Sequence, residues 1–281
     1  ELANNGSVPF TNNKMQIGAT VVDPNNGHVV AILGGRHLPS VQLGLDRAVQ
    51  TERSTGSSIK PVLDYAPAIQ YLNWSTAKMF DDSKYVYPGT NIQLYDWDNK
   101  YDGMMTMRHA LEQSRNVPAV KTLAEVGVKR ASAFARRMGV NVSPKSGLSV
   151  AIGANASSLQ MTGAYSAFAT MGVYHKPQFV SKIETPDGLT RNYDSNGVRV
   201  MKKSTAYMIT DMLKGVIKRG SGTNAKIADL YQAGKTGTVK YSDEDLAKYP
   251  SYNSTPKDSW FVGYTRSYVM GVWTGYDNLK D

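Results

Sequence analysis

Cysteine is absent from all 281 residues, which excludes disulfide scaffolds, thiolate metal sites and dithiol redox chemistry. That absence suits an oxidising exterior without establishing one. Histidine is scarce. His28, His37, His109 and His175 are scattered with no helical pair among them, so neither a histidine-built metal site nor any cofactor is expected. Apolar runs are short, Val29 to Leu33 being among the longest, and none approaches the ~20 residues of a membrane span. No block of basic residues carries interleaved aromatics, so nucleic acid is not an expected partner. A Gly-x-Ser-x-Gly elbow is missing, and with it the usual signature of a Ser-His-Asp hydrolase. Gly234-Lys235-Thr236 looks like the end of a phosphate-binding loop, but Asp229 stands where its first glycine belongs. The chain starts at Glu1 without initiator Met, basic n-region or apolar h-region, and reads as a piece of something longer or a processed product.

What is present is a chain of globular make-up, long enough for one large domain or two small ones. Its 32 Lys and Arg against 23 Asp and Glu give a net charge of +9. That balance fits a solvated basic surface, or attraction to anionic polymers and lipid headgroups. Strand signals cluster at both ends. Met15 to Val22 and His28 to Leu33 flank the turn residues Asp23-Pro24-Asn25-Asn26-Gly27, and Ser259 to Tyr264 and Tyr268 to Thr274 flank Thr265-Arg266-Ser267. Tyr231 to Val239 reads as a further strand. Between the ends the periodicity is helical. Ser204 is placed to cap a helix with Met208, Met212 and Val216 on one face and Gly220 as its stop. Ser157 or Ser158 starts another, with Met161, Ala164, Phe168 and Met171 aligned, and Val117, Val120 and Ala124 continue a third after Asn116. Phe179 to Ile183, with Pro186-Asp187-Gly188 as its turn, reads as a small hairpin. The expected fold is α/β (α+β), an antiparallel sheet built from both chain ends and packed against a mostly helical middle. One domain over 1–281 is expected, with a helical part of roughly 57–220 set between the hairpin 15–33 and the strands 231–274.

Three short motifs could carry chemistry. Ser57-Ser58-Ile59-Lys60 puts a hydroxyl and an amine three residues apart, on one face if helical. A serine hydroxyl attacks only when a base takes its proton, and a lysine buried beside other positive charge can be that base. Pro61 is tolerated in a first turn, which places Ser57 at a helix N-terminus. The same spacing recurs at Ser75-Thr76-Ala77-Lys78 and at Ser254-Thr255-Pro256-Lys257, so it is weak alone. Ser114-Arg115-Asn116 sits at a break between helices, where Ser114 could relay a proton and Asn116 hold a substrate amide, or either could simply cap a helix. That spacing recurs at Ser251-Tyr252-Asn253. Lys235-Thr236-Gly237-Thr238 occurs once, on an expected strand. There Gly237 leaves no side chain to block a ligand lying along the backbone, and the Lys and Thr groups suit a carboxylate. An exposed strand edge could also pair with an extended peptide. The plainer alternative is a surface strand with a glycine bulge.

Only the combination is specific. Ser-x-x-Lys, Ser-x-Asn and Lys-Thr-Gly in that order are the signatures of the penicilloyl-serine transferases, and the copies at Ser251 and Ser254 fall after Lys235. The chain resembles the transpeptidase domain of a penicillin-binding protein, of the bifunctional (class A) high-molecular-mass type of Gram-positive bacteria. Residues 55–61, 113–120 and 233–238 carry the likeness, as do Gly220-Ser221-Gly222-Thr223 and residues 260–265. The resemblance implies that Ser57 attacks the penultimate D-Ala carbonyl of a peptidoglycan stem peptide ending in D-Ala-D-Ala while Lys60 accepts its proton. It further implies that Ser114 relays a proton to the leaving amine and Asn116 holds the peptide amide. Lys235 would supply positive potential, Thr236, Gly237 and Thr238 would line the carboxylate subsite, and the N–H groups of Ser57 and Thr238 would form the oxyanion hole. β-Lactams would acylate Ser57. The same likeness implies a full-length protein with an N-terminal glycosyltransferase domain and a membrane anchor, working on the outer face of the cytoplasmic membrane.

Three other functions share these motifs. Class A β-lactamases add a deacylating Glu between the second and third motifs, yet no Asp or Glu lies between Glu125 and Glu184. A D,D-carboxypeptidase differs only in letting water finish the reaction. A β-lactam sensor domain needs Ser57 and Lys60 but no acceptor amine. A purely structural domain requires all three motifs to be coincidence.

Overall fold

The computed structural model describes residues 3–37, 42–193 and 195–278. The two chain ends meet in one five-stranded antiparallel sheet, ordered Ala233–Val239, Asp258–Tyr264, Val269–Gly275, Gln16–Val22, Val29–Leu33. Alternation drives this pairing: Trp260, Val262 and Tyr264 turn inward on one strand, Val269 and Trp273 on the next. The register sets Gln16 opposite Gly275 and Val22 opposite Val269, so the first strand lies deep in the sheet. Ala233–Val239, which carries the Lys-Thr-Gly motif, is left at an edge.

The helices are α1 (Ala66–Leu72), α2 (Met107–Glu112), α3 (Asn116–Val126), α4 (Val128–Arg136), α5 (Ser158–Ala169), α6 (Lys203–Arg219) and α7 (Asp243–Lys248). α5 threads the middle of the protein, against both the sheet and α6. Its small and apolar residues allow burial on nearly every side, and Met161, Ala164, Tyr165 and Phe168 are all inaccessible. It starts with a capping box, Gln160 N–H donating to Ser157 Oγ at 3.2 Å and Ser157 N–H to Gln160 Oε1 at 2.7 Å. Such a cap contributes ~1 kcal/mol. The core continues into Tyr65, Leu111, Val120, Leu123 and Phe134 of the helical half. Among the described residues no helix is long and apolar enough to cross a membrane.

The expected sheet and helical middle are both present. Some local readings differ. α6 begins at Lys203 with no side-chain cap of its own, because Gln70 Oε1 of α1 accepts from Lys202 N–H (3.0 Å) and Thr205 Oγ1 (2.9 Å). Ser204 is therefore not the cap. Met171 lies beyond α5 in a left-handed conformation, and Ala124 of α3 points to solvent while Leu123 and Val126 are buried. The small hairpin pairs Lys182–Glu184 with Thr190–Asn192, leaving Phe179 outside it. Unforeseen was an excursion between α1 and α2 in which Met79–Asp82 pairs with Gly103–Thr106, and Tyr85–Val86 with Gln93–Leu94.

Candidate active site

The Ser-x-x-Lys segment opens a helical run over residues 56–72, 3₁₀ at Gly56–Ile59, then one π turn at Pro61–Tyr65, then α1. Pro61 has no N–H to give, and the Ser57 carbonyl is instead used by Lys60 N–H; Ala66 N–H closes the π turn on Pro61 O. Ser57 and Lys60 thus stay three residues apart on one side of the run. Ser57 is half-buried, and among the described residues its Oγ makes no hydrogen bond. Lys60 is fully buried, and its Nζ donates to Ser114 O (2.8 Å), Arg115 O (2.9 Å) and Asn116 Oδ1 (2.8 Å). Three acceptors favour the ammonium form. Burial opposes it more strongly, and despite Asp64 and Asp96 nearby the amine is brought down to about 7.

Those acceptors come from an abrupt reversal between α2 and α3. Ser114 takes a left-handed conformation (φ 59°), uncommon for a non-glycine, and Arg115 N–H reaches back to Ala110 O at 2.9 Å. The turn aims two carbonyls at Lys60 and the Ser114 hydroxyl the other way, where it accepts from Lys235 Nζ at 2.8 Å. Asn116 Nδ2 donates to Tyr95 O at 3.0 Å, which fixes the carboxamide. Lys235 is fully buried, and burial first, then the charge of Lys60, holds its amine well below the ordinary lysine range.

The edge strand completes the cluster. Thr236 Oγ1 is 2.9 Å from Ser221 Oγ, and Thr238 is exposed at the rim. Gly237 does not leave room for a ligand, as its composition suggested. A Cβ there would lie 2.2 Å from Thr55 O and 3.2 Å from Ser58 N, so the gap is filled by the turn that carries Ser57. Gly56 makes the reciprocal approach: its φ is +51°, and a Cβ on it would stand 2.8 Å from Thr238 N. Backbone meets backbone here, and the turn that carries Ser57 lies directly on the strand at Gly237 and Thr238. These contacts gather the eight motif residues, Ser57, Lys60, Ser114, Asn116, Lys235, Thr236, Gly237 and Thr238, into one cluster. The other Ser-x-x-Lys copy that precedes Lys235 lies elsewhere, Ser75 in an exposed turn and Lys78 over the Trp74 ring.

Two groups escaped the motif argument. Ser221 adds a hydroxyl beside that of Thr236; its Gly-Ser-Gly setting was visible but had no chemistry attached. Arg115, the variable residue of Ser-x-Asn, is buried among Asp82, Asp96, Asp98 and Asp102. A lone arginine and a run of aspartates over residues 81–102 were the available signal. In the segment 241–257, α7 and the rings of Tyr241, Tyr249 and Tyr252 pack together, and the neighbouring Lys240 Nζ donates to Trp97 O at 3.3 Å.

A serine and two buried lysines, held where a helical half meets the edge of an antiparallel sheet, define the class of serine–lysine acyltransferases that includes the penicilloyl-serine enzymes. The chain belongs to the penicillin binding protein transpeptidase domain family, which residues 17–281 match. It is 45% identical to penicillin-binding protein 1A of Streptococcus pneumoniae, over 96% of this chain and 39% of that protein. It is 43% identical to penicillin-binding protein 1A/1B of Bacillus subtilis, over 98% of this chain and 30% of that protein. The chain thus spans well under half the length of these relatives. The structure of PonA1 from Mycobacterium tuberculosis in complex with penicillin V shares the fold, with a TM-score of 0.79 at 26% identity, covering 94% of this chain and 70% of that one.

Proposed function

We propose that the chain is a D,D-transpeptidase that cross-links peptidoglycan stem peptides through an acyl-serine. Ser57 Oγ attacks the carbonyl carbon of the penultimate D-Ala, and Lys60 Nζ, once neutral, takes the hydroxyl proton. The developing oxyanion sits against the N–H groups of Ser57 and Thr238. The C–N bond to the terminal D-Ala breaks, and the proton that Lys60 took is passed on to the leaving nitrogen by way of the Ser114 hydroxyl, which Lys235 polarises, so that Lys60 is neutral again. Thr236, Thr238 and Ser221 bind the terminal carboxylate next to the Lys235 charge, and Asn116 holds the donor amide. An amine of a second stem then attacks the ester, Lys60 removes its proton, and Ser57 Oγ recovers one. One peptide bond is broken and one formed, so no cofactor is required.

The observation that carries this reading is the unbroken set of hydrogen bonds from Lys60 through the Ser114–Asn116 turn to Lys235 and Thr236, with Ser57 Oγ unengaged beside it. A lactamase is disfavoured by what fills the space on the far side. Both Thr55 N–H and Thr55 Oγ1 donate to Ala154 O at 2.9 Å, from a stretch without any carboxylate between Glu125 and Glu184. β-Lactams are then inhibitors: their ring nitrogen stays tethered after acylation and the ester on Ser57 persists. In the whole protein, the domain would work on the outer face of the cytoplasmic membrane, tethered by an anchor and joined to a glycosyltransferase. Incubation with a model stem peptide and a second D-amino acid tests the reaction. Exchange of the terminal residue is expected; shortening of the peptide alone would instead make the protein a carboxypeptidase.

A further inference from the structure

The Ser114–Asn116 turn is held from behind by the excursion between α1 and α2. Arg115 is 1% exposed and its guanidinium is saturated: Nε donates to Asp82 Oδ2 (2.8 Å), one terminal nitrogen to Asp98 (3.1 and 3.2 Å) and the other to Lys100 O (2.6 Å). Asp82 Oδ2 also accepts from Asp102 N–H at 3.1 Å. Asp96 takes the other end of the turn, where its Oδ1 accepts from Asn116 N–H. Asp82 and Asp96 are both buried, and each has one oxygen to spare. Asp82 Oδ1 and Asp96 Oδ2 have no hydrogen-bond partner among the described residues, although both carboxyls reach the one Arg115 guanidinium, Asp82 Oδ2 at 2.8 Å and Asp96 Oδ2 at 3.6 Å. One buried polar atom without a partner costs ~1–3 kcal/mol, and two side by side call for a common answer. A single proton between them satisfies both.

We propose that Asp82 and Asp96 form a proton-sharing carboxyl pair that clamps the Ser114–Asn116 turn through Arg115 and the Asn116 amide, making both positioning residues for acyl transfer. The inference rests on the reading of Ser57, Lys60 and the turn given above. Around the pair stand Lys60 and Tyr65 from the helical run and Arg115 from the turn; Asp64 faces Lys60 and Tyr65, while Asp98 and Asp102 reach the same arginine. Burial raises Asp96 to about 6, although the Asn116 amide and Arg115 pull the other way. The Asp96 charge therefore appears as pH rises through that value, and it favours the ammonium form of Lys60, just where that amine begins to lose its proton.

Asparagine at position 96 keeps the geometry and freezes the charge. Its Oδ1 can accept from Asn116 N–H and its Nδ2 can donate to Asp82 Oδ1. The test is the second-order acylation rate with a fluorescent penicillin, from pH 5 to 9, for the wild type, Asp96→Asn and Asp96→Ala. Asp96→Asn should keep the plateau rate within about 3-fold and move the rising limb to lower pH, whereas Asp96→Ala should lose about 10-fold or more throughout. Should the alanine variant fail to fold, Asp82→Asn supplies the second reading, with the same displacement expected. Asparagine variants with the wild-type midpoint would overturn the pair, whatever their rate. A wild type that is never acylated would overturn the parent reading and this one together, and the wild-type curve alone distinguishes that case.

Discussion

Lys60 carries two opposed demands. Its three acceptors want an ammonium, while complete burial penalises one, and the balance near 7 makes the neutral base available in ordinary conditions. The sign follows directly: the amine is depressed from its usual value, so the reactive form accumulates above about 7 and disappears below it. Acylation by a β-lactam should therefore accelerate as pH rises through that value, and a rate that falls over the same interval would show that Lys60 is not the base. Lys235 is depressed as well, by burial and by Lys60, so the two amines share one region of positive potential that an arriving carboxylate relieves. Thr238 stands exposed at the mouth of that region. If it binds the incoming carboxylate as proposed, alanine in its place costs about 10- to 100-fold in acylation rate with the fold untouched. An unchanged rate would remove Thr238 from the carboxylate subsite.

At the scale of elements, the site depends on how closely the edge strand lies on the turn bearing Ser57. Gly237 and Gly56 allow that approach, and a methyl group at Gly237 would meet the Thr55 carbonyl at 2.2 Å. Neither atom belongs to a flexible side chain, so the strand or the turn must move. Gly237→Ala should slow acylation at least about 10-fold and cost ~1–3 kcal/mol in urea denaturation, a penalty typical of overpacking. Full activity in that variant would mean that the strand can shift freely. The motifs were legible because side-chain chemistry at fixed spacing survives as a pattern in one dimension. The use made of Gly237 was not, because a small residue in a strand reads alike whether a ligand or another backbone fills the space. Nor was the clamp on Arg115 legible: it joins residues of three separate segments, and only folding places four aspartates around one guanidinium. The capping of α6 by Gln70 fails in sequence for the same reason.

Over the whole molecule, the sheet is closed by strands from opposite ends of the chain, and the site lies where its edge meets the helical half. Ser57 comes from the helical run, Ser114 and Asn116 from the α2–α3 reversal, and Lys235 from the last third of the chain. The sheet was readable because both ends carry apolar, β-branched runs on either side of turn residues, whereas the paired excursion at residues 79–106 has short strands and weak periodicity. No part of the site stands on one segment, so acylation reports on the entire fold as well as on one hydroxyl. The most direct measurement is intact mass against time after adding a penicillin, with the modified residue mapped and Ser57→Ala run beside it. A persistent adduct of one drug per chain on Ser57, absent from the folded alanine variant, is the predicted result. An adduct that vanishes as the drug is consumed, or one that forms equally in Ser57→Ala, would contradict the account.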